Sequence, residues 1–159
     1  MSRLDSFIRR MSAQRDCLNH AAELLVSVDG PVMELGLGNG RTYDHLREKF
    51  PGRRLVAFDR AFAAHLPSAP AAEDLVLGEI AETAGAFVGI QAALVHADIG
   101  SGYEDKDAMT LKWLPNLVAG LLRTGGVAVC GLPLVHDALE PLPLPEGVPA
   151  RRYFLYRRR

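Results

Sequence analysis

The chain is expected to form a doubly wound α/β domain, a mostly parallel sheet with helices on both faces and a C-terminal antiparallel hairpin. Three observations predict this class. Short apolar runs alternate with stretches of helical periodicity from Val32 to Cys130, the rhythm of right-handed crossovers in a parallel sheet. Gly, Pro and Asp punctuate the joins. The last two runs, Leu139 to Leu144 and Tyr153 to Tyr156, have only Pro145-Glu146-Gly147 and a few neighbours between them. That is too little for a crossover helix, so they fit a hairpin.

Leu4, Phe7, Ile8, Met11, Leu18, Ala21, Ala22 and Leu25 mark one face of an N-terminal helix, with Arg9, Arg10, Arg15 and Asp16 outside it. Gln14 interrupts that stripe and predicts a bend or break. Asp29-Gly30-Pro31 stops the helix. Val32 to Leu35 is a short strand ending in glycines, and Thr42 to Phe50 is helical, closed by Pro51-Gly52. Leu55 to Phe58 forms a second strand before Asp59, and Leu75 to Leu77 a third. Ile80, Ala84, Phe87 and Val88 outline a helix, and Ala92 to Val95 a fourth strand. Met109, Trp113, Leu114, Leu117, Val118 and Leu121 line a longer helix. Pro115 inside it removes a backbone bond, so a kink or a restart near Leu114 is expected. Thr124-Gly125-Gly126 ends it, and Val127 to Cys130 is a fifth strand. Residues 1–30 read as a helical cap on an α/β unit of residues 31–159, one domain in all.

At 159 residues the chain can bury one sizeable core. Its formal net charge of -1 supplies no global field toward nucleic acid or an anionic membrane. Met1 to Arg10 lacks the apolar stretch of a signal peptide, and no apolar run approaches the roughly 20 residues that span a bilayer. A cytoplasmic protein is expected. Cys17 and Cys130 stand far apart and read as buried apolar fillers rather than a disulfide.

The informative stretch is Glu34-Leu35-Gly36-Leu37-Gly38-Asn39-Gly40-Arg41-Thr42. Glycine is needed where the backbone takes positive φ or where a ligand approaches closer than a Cβ permits. The loop runs into a helix N-terminus, whose free N–H groups can receive a polar ligand. Asp59, nineteen residues beyond Gly40, is placed to accept both hydroxyl protons of a ribose. Without a ligand, the loop would be a tight strand-to-helix turn and Asp59 a helix N-cap. The agreement in spacing of glycines, acid and carboxylate favours the ligand.

Dinucleotide enzymes use Gly-x-Gly-x-x-Gly, whereas this loop reads Gly-x-Gly-x-Gly after an acid. It resembles the first motif of class I S-adenosylmethionine-dependent methyltransferases, and the resemblance extends from Pro31 to about Gly131. It implies the Rossmann-like methyltransferase fold and S-adenosyl-L-methionine as cofactor. It would place Glu34 at the methionine end, directly or through water, and lay the backbone of Gly36, Leu37, Gly38, Asn39 and Gly40 against the cofactor. Asp59, with Arg60 beside it, would bind the ribose hydroxyls. Glu79 would sit by the adenine amino group, with Ile80 packing on the ring, although Glu79 is equally suited to cap the helix that follows. Asp98 would face the reacting methyl.

The implied reaction is in-line attack on a carbon already activated by sulfonium, so position and dryness matter more than a base. His96, Asp98 and Tyr103 lie on or just after the fourth strand and are the catalytic candidates. His96 is also explained as a strand histidine satisfied by a neighbour, and Tyr103 as a loop anchor. His96-Ala97-Asp98-Ile99-Gly100-Ser101-Gly102 lacks the Asn-Pro-Pro-Tyr type motif of adenine- or glutamine-methylating relatives. Cys130-Gly131-Leu132 offers no ligand set for a hard cation, so no metal is expected.

The expected activity is therefore methyl transfer to a small-molecule acceptor, without nucleic-acid or membrane partners. A non-catalytic sensor of the cofactor or its demethylated product, and a nucleotide enzyme on a similar fold, are the competing readings. Little chain remains after Gly131 for a substrate lid, leaving the N-terminal helix to cover the cofactor. A second copy of the chain could complete the pocket, a homo-oligomeric arrangement. Arg151, Arg152 and Arg157 to Arg159 make a basic end. It would contact an anionic partner or, more simply, protect a charged sheet edge.

Overall fold

The computed structural model describes residues 1–159, and its seven strands form one sheet in the order β3-β2-β1-β4-β5-β7-β6. The strands are β1 (Val32–Leu35), β2 (Leu55–Asp59), β3 (Leu75–Leu77), β4 (Ala92–Ala97), β5 (Leu122–Cys130), β6 (Leu139–Pro141) and β7 (Phe154–Arg158). The first five are parallel; β7 runs antiparallel to both β5 and β6. The helices are α1 (Arg3–Leu24), α2 (Arg41–Lys49), α3 (Ile80–Thr83), α4 (Glu104–Leu111) and α5 (Leu114–Leu121). The doubly wound sheet with its terminal antiparallel hairpin is thus the architecture found.

Successive side chains of a strand point to opposite faces, and the two cores divide along that parity. Val32, Leu55, Ala57, Leu94, Val127, Val129 and Leu155 pack with Cys17, Leu18 and Ala21 of α1, with Leu25 at its C-cap, and with Tyr43 and Leu46 of α2. Met33, Leu35, Val56, Phe58, Val95, Ala97, Ala128 and Cys130 face the other way, onto α3 and α5. Each fully buried leucine contributes about 2 kcal/mol by removing apolar surface from water. The same parity puts Glu34 and His96, direct partners in the β1–β4 register, on the α1/α2 face. They are the polar side chains in an otherwise apolar layer.

Three local expectations are corrected and one is met. The helix α1 is continuous through Gln14, because that side chain is bound by Asp98 and Tyr153 and gives the backbone no reason to break. The restart expected near Leu114 is found: α4 ends at Leu111 and α5 begins at Leu114, with Pro115 in its first turn, where a missing N–H costs nothing. The fifth strand begins at Leu122 rather than Val127, and a bulge opposite Ala92–Leu94 absorbs the glycine pair. Arginine-rich β7 lies between β5 and β6 and protects no edge; β6, carrying Pro141, is the edge strand at that end of the sheet.

Cys17 and Cys130 are both buried and free. Burial, with a smaller contribution from Asp16, pushes the Cys17 thiol up to about 12, and burial drives Cys130 upward as well. Neither thiol is expected to react with iodoacetamide at pH 8 in the native protein, whereas both react after denaturation. Intact mass before and after guanidinium treatment reads the difference, and native alkylation of either would contradict this packing.

Candidate functional site

The strand order reverses between β1 and β4, and a cavity of about 860 Å3 opens there at the carboxyl ends of the parallel strands. One wall is the loop from Gly36 to Thr42, with Asp59 at the end of β2, Arg60 just beyond it, and Glu79, Ile80 and Ala81 after β3. Asp98, Ile99 and Ser101 follow β4. The opposite wall is Phe7, Arg10, Met11 and Gln14 of α1 with Lys106, Met109 and Thr110 of α4 and Trp113.

All three motif glycines take positive φ: +92° at Gly36, +52° at Gly38 and +89° at Gly40. Their reasons differ. A Cβ on Gly36 would lie 2.7 Å from the Ile99 side chain, and one on Gly40 3.0 Å from Ser68. Those two glycines let the loop pack against its own protein. At Gly38 a Cβ would meet no protein atom within 4 Å. Of the three, Gly38 alone leaves space at the cavity wall for a ligand to approach the backbone.

Asp59 ties this loop to β2. Its carboxylate accepts from the Gly38 N–H at 2.7 Å and from the Arg60 N–H at 2.7 Å. A carboxylate has about four acceptor positions, so capacity for a diol remains. Glu79 occupies the N-cap position of α3, but its side chain makes no cap bond and pairs with Arg60 at 3.2 Å.

Glu34 is 1% exposed and does not line the cavity. One of its carboxylate oxygens accepts from the Thr42 hydroxyl, the other lies 2.7 Å from His96 Nδ1. Its route to the cavity therefore runs through Thr42. His96 is fully buried, with Nε2 2.7 Å from the Tyr153 hydroxyl. Every group of the chain is paired: Nδ1–H donates to Glu34, and Nε2 meets the Tyr153 hydroxyl, whose oxygen accepts from Gln14 Nε2 at 2.9 Å. Burial alone would lower the His96 pKa, but the neighbouring Glu34 carboxylate outweighs it and the net shift is upward. Asp98 ends this chain of contacts, accepting from Gln14 at 2.9 Å and from Arg10 at 2.6 Å.

Of the candidate catalytic residues, then, only Asp98 stands at the cavity wall. His96 is sealed behind it, and Tyr103 is 64% exposed beside the cavity mouth with Lys106 over its ring at 4.9 Å. The sequence reading missed Arg10, Tyr153 and the α4 wall. Gln14 had left a trace, as the polar residue on an apolar stripe.

The family model described as S-adenosyl-L-methionine methyltransferase matches residues 1–158. The chain belongs to this family. It is similar to the S-adenosyl-L-methionine methyl transferase from Silicibacter pomeroyi DSS-3, at 45% identity over 99% of both chains with a TM-score of 0.92. The TehB-like SAM-dependent methyltransferase from Corynebacterium glutamicum shares the fold at 15% identity, over 87% of both chains, with a TM-score of 0.55. The N-methyltransferase NodS from Bradyrhizobium japonicum does so at 15% identity, over 92% of this chain and 97% of that one, with a TM-score of 0.58. No curated protein matches. Membership makes S-adenosyl-L-methionine the cofactor of this methyltransferase, and the open wall at Gly38 beside the Asp59 carboxylate fits that group.

Proposed function

We propose that this methyltransferase acts on a small-molecule acceptor seated between Asp98 and the α1–α4 wall. The observation that carries the reading is the division of one cavity into two unlike halves. The Gly38 loop, Asp59, Glu79 and Ile80 line one half, and they suit a nucleoside with a polar arm. The other half combines apolar Phe7, Met11, Met109 and Trp113 with Asp98, Ser101 and Lys106, the mix of apolar surface and a few polar groups usual for small ligands. Helix α1 supplies Phe7, Arg10, Met11 and Gln14 to the wall facing the glycine loop.

In this reading Asp59 holds the ribose hydroxyls, Glu79 and Ile80 receive the adenine, and Thr42, backed by Glu34, meets the methionine arm. When bound, the cofactor supplies a methyl carbon already activated by its sulfonium. The chain then contributes position and exclusion of water. Asp98, fixed by Arg10 and Gln14, orients the acceptor. His96 and Tyr103 stay clear of the reacting atoms.

Asp59→Ala is expected to weaken binding of S-adenosylhomocysteine by about ten- to a hundredfold, the worth of hydrogen bonds to a charged group. Titration calorimetry measures it, and unchanged affinity would sink the ribose assignment. The acceptor class is tested by incubating the protein with methyl-labelled cofactor and a cell extract split by size. Label is expected in the fraction that passes a small-pore membrane. Label confined to RNA or protein would refute a small-molecule acceptor.

A further inference from the structure

We propose that Gln14 binds the ammonium group of the cofactor's methionine arm through its side-chain carbonyl oxygen, and so selects ligands carrying that ammonium. Gln14 is 4% exposed and lines the cavity. Its amide nitrogen lies 2.9 Å from Asp98 Oδ2 and 2.9 Å from the Tyr153 oxygen. The carboxylate at one end accepts only, so the amide has one orientation, with both N–H protons spent on these partners. Turning the amide over would set its oxygen against the Asp98 carboxylate. The carbonyl oxygen is left with no donor from the protein, yet no buried side-chain atom of the molecule is both sealed from solvent and unpartnered. It therefore reaches the cavity surface, as an acceptor awaiting a donor.

The surroundings indicate which donor. Gln14 also lines an adjoining groove of about 460 Å3 with Arg41 and Thr42, at the start of α2. An amino acid's two charged ends need a cation or free N–H groups for the carboxylate and an acceptor for the ammonium. Arg41 makes no ion pair within the chain and stands on the first turn of a nine-residue helix, which supplies the former. The carboxylates of this corner are less available: Glu34 does not line the cavity, and Asp98 already faces the Arg10 guanidinium. Glu34 is bound by Thr42 and His96, and Asp98 by Arg10 and Gln14. The Gln14 oxygen has no donor at all.

Calorimetry with S-adenosylhomocysteine and with its deaminated analogue, in which hydrogen replaces the ammonium, tests this. The native protein is expected to prefer S-adenosylhomocysteine by about tenfold or more, the range of a hydrogen bond from a charged donor. Gln14→Leu is expected to lose that preference, binding the deaminated analogue within about threefold of the native protein. Where leucine prevents folding, Gln14→Met keeps the chain length and carries the same expectation. Equal binding of the two ligands by the native protein overturns the proposal. So does a variant that weakens both ligands alike, which would make Gln14 only a support for α1. A variant that binds both as the native protein does but loses turnover would place Gln14 against the methyl acceptor, and the proposal also falls. Failure of the native protein to bind S-adenosylhomocysteine at all would instead contradict the cofactor site itself, a distinct result.

Discussion

Gly38→Val is expected to reduce S-adenosylhomocysteine affinity on the order of a hundredfold or more, about 2.7 kcal/mol, while the protein stays folded. The contrast among the three motif glycines carries this result. At Gly38 an added Cβ meets no protein atom within 4 Å, so added bulk enters the space where the ligand must touch the backbone. The φ of +52° is strained for a β-branched residue, at about 1–2 kcal/mol. That shifts the melting temperature by a few degrees without unfolding the chain. Gly36→Ala should behave in the opposite manner. Its Cβ would press on Ile99 at 2.7 Å and on the Asp98 carbonyl at 3.2 Å, so stability is lost before affinity. Calorimetry paired with thermal unfolding separates the two, and native affinity in Gly38→Val would remove the ligand from this loop.

Glu34→Ala is expected to cost about 3–5 kcal/mol of stability, the range for breaking a buried charged pair from one side, or roughly 10 °C in melting temperature. Glu34 and His96 are 1% and 0% exposed and lie 2.7 Å apart. Removing the carboxylate strands the His96 Nδ1–H where water does not reach and leaves the Thr42 hydroxyl at the cavity wall without its partner. The loss should also depend on pH. The folded-state pKa of His96 is raised above the ordinary 6.5. Its ionisation therefore adds stability that is complete below about pH 6.5 and fades as pH rises through the folded value. The gap between native and Glu34→Ala melting temperatures should narrow over that rise. A gap that widens with pH, or a loss below about 1 kcal/mol, would show that the pair does not hold the sheet ends together.

Five parallel strands and the terminal hairpin were legible because each apolar run is bounded by turn residues, and because two runs a few residues apart leave no length for a crossover. The glycine loop and Asp59 were legible for a similar reason. Backbone conformation and strand-end position are local properties, expressed in residue type and spacing. The start of β5 was hidden because its first residues, Leu122 to Gly126, carry the marks of a helix end; only pairing with Ala92 and Leu94 makes them strand.

The sequence by itself determined the fold class, the glycine loop after β1 and the carboxylates at the carboxyl ends of β2, β3 and β4. Only the tertiary structure decided which of those groups reach the cavity. Glu34 and His96 meet because parallel register sets them side by side on one face. Tyr153 and Gln14 meet them from positions 57 and 82 residues away from His96. Spacing along a chain carries no record of such contacts, since burial and hydrogen bonding between distant segments arise only when the sheet and its covering helices close together.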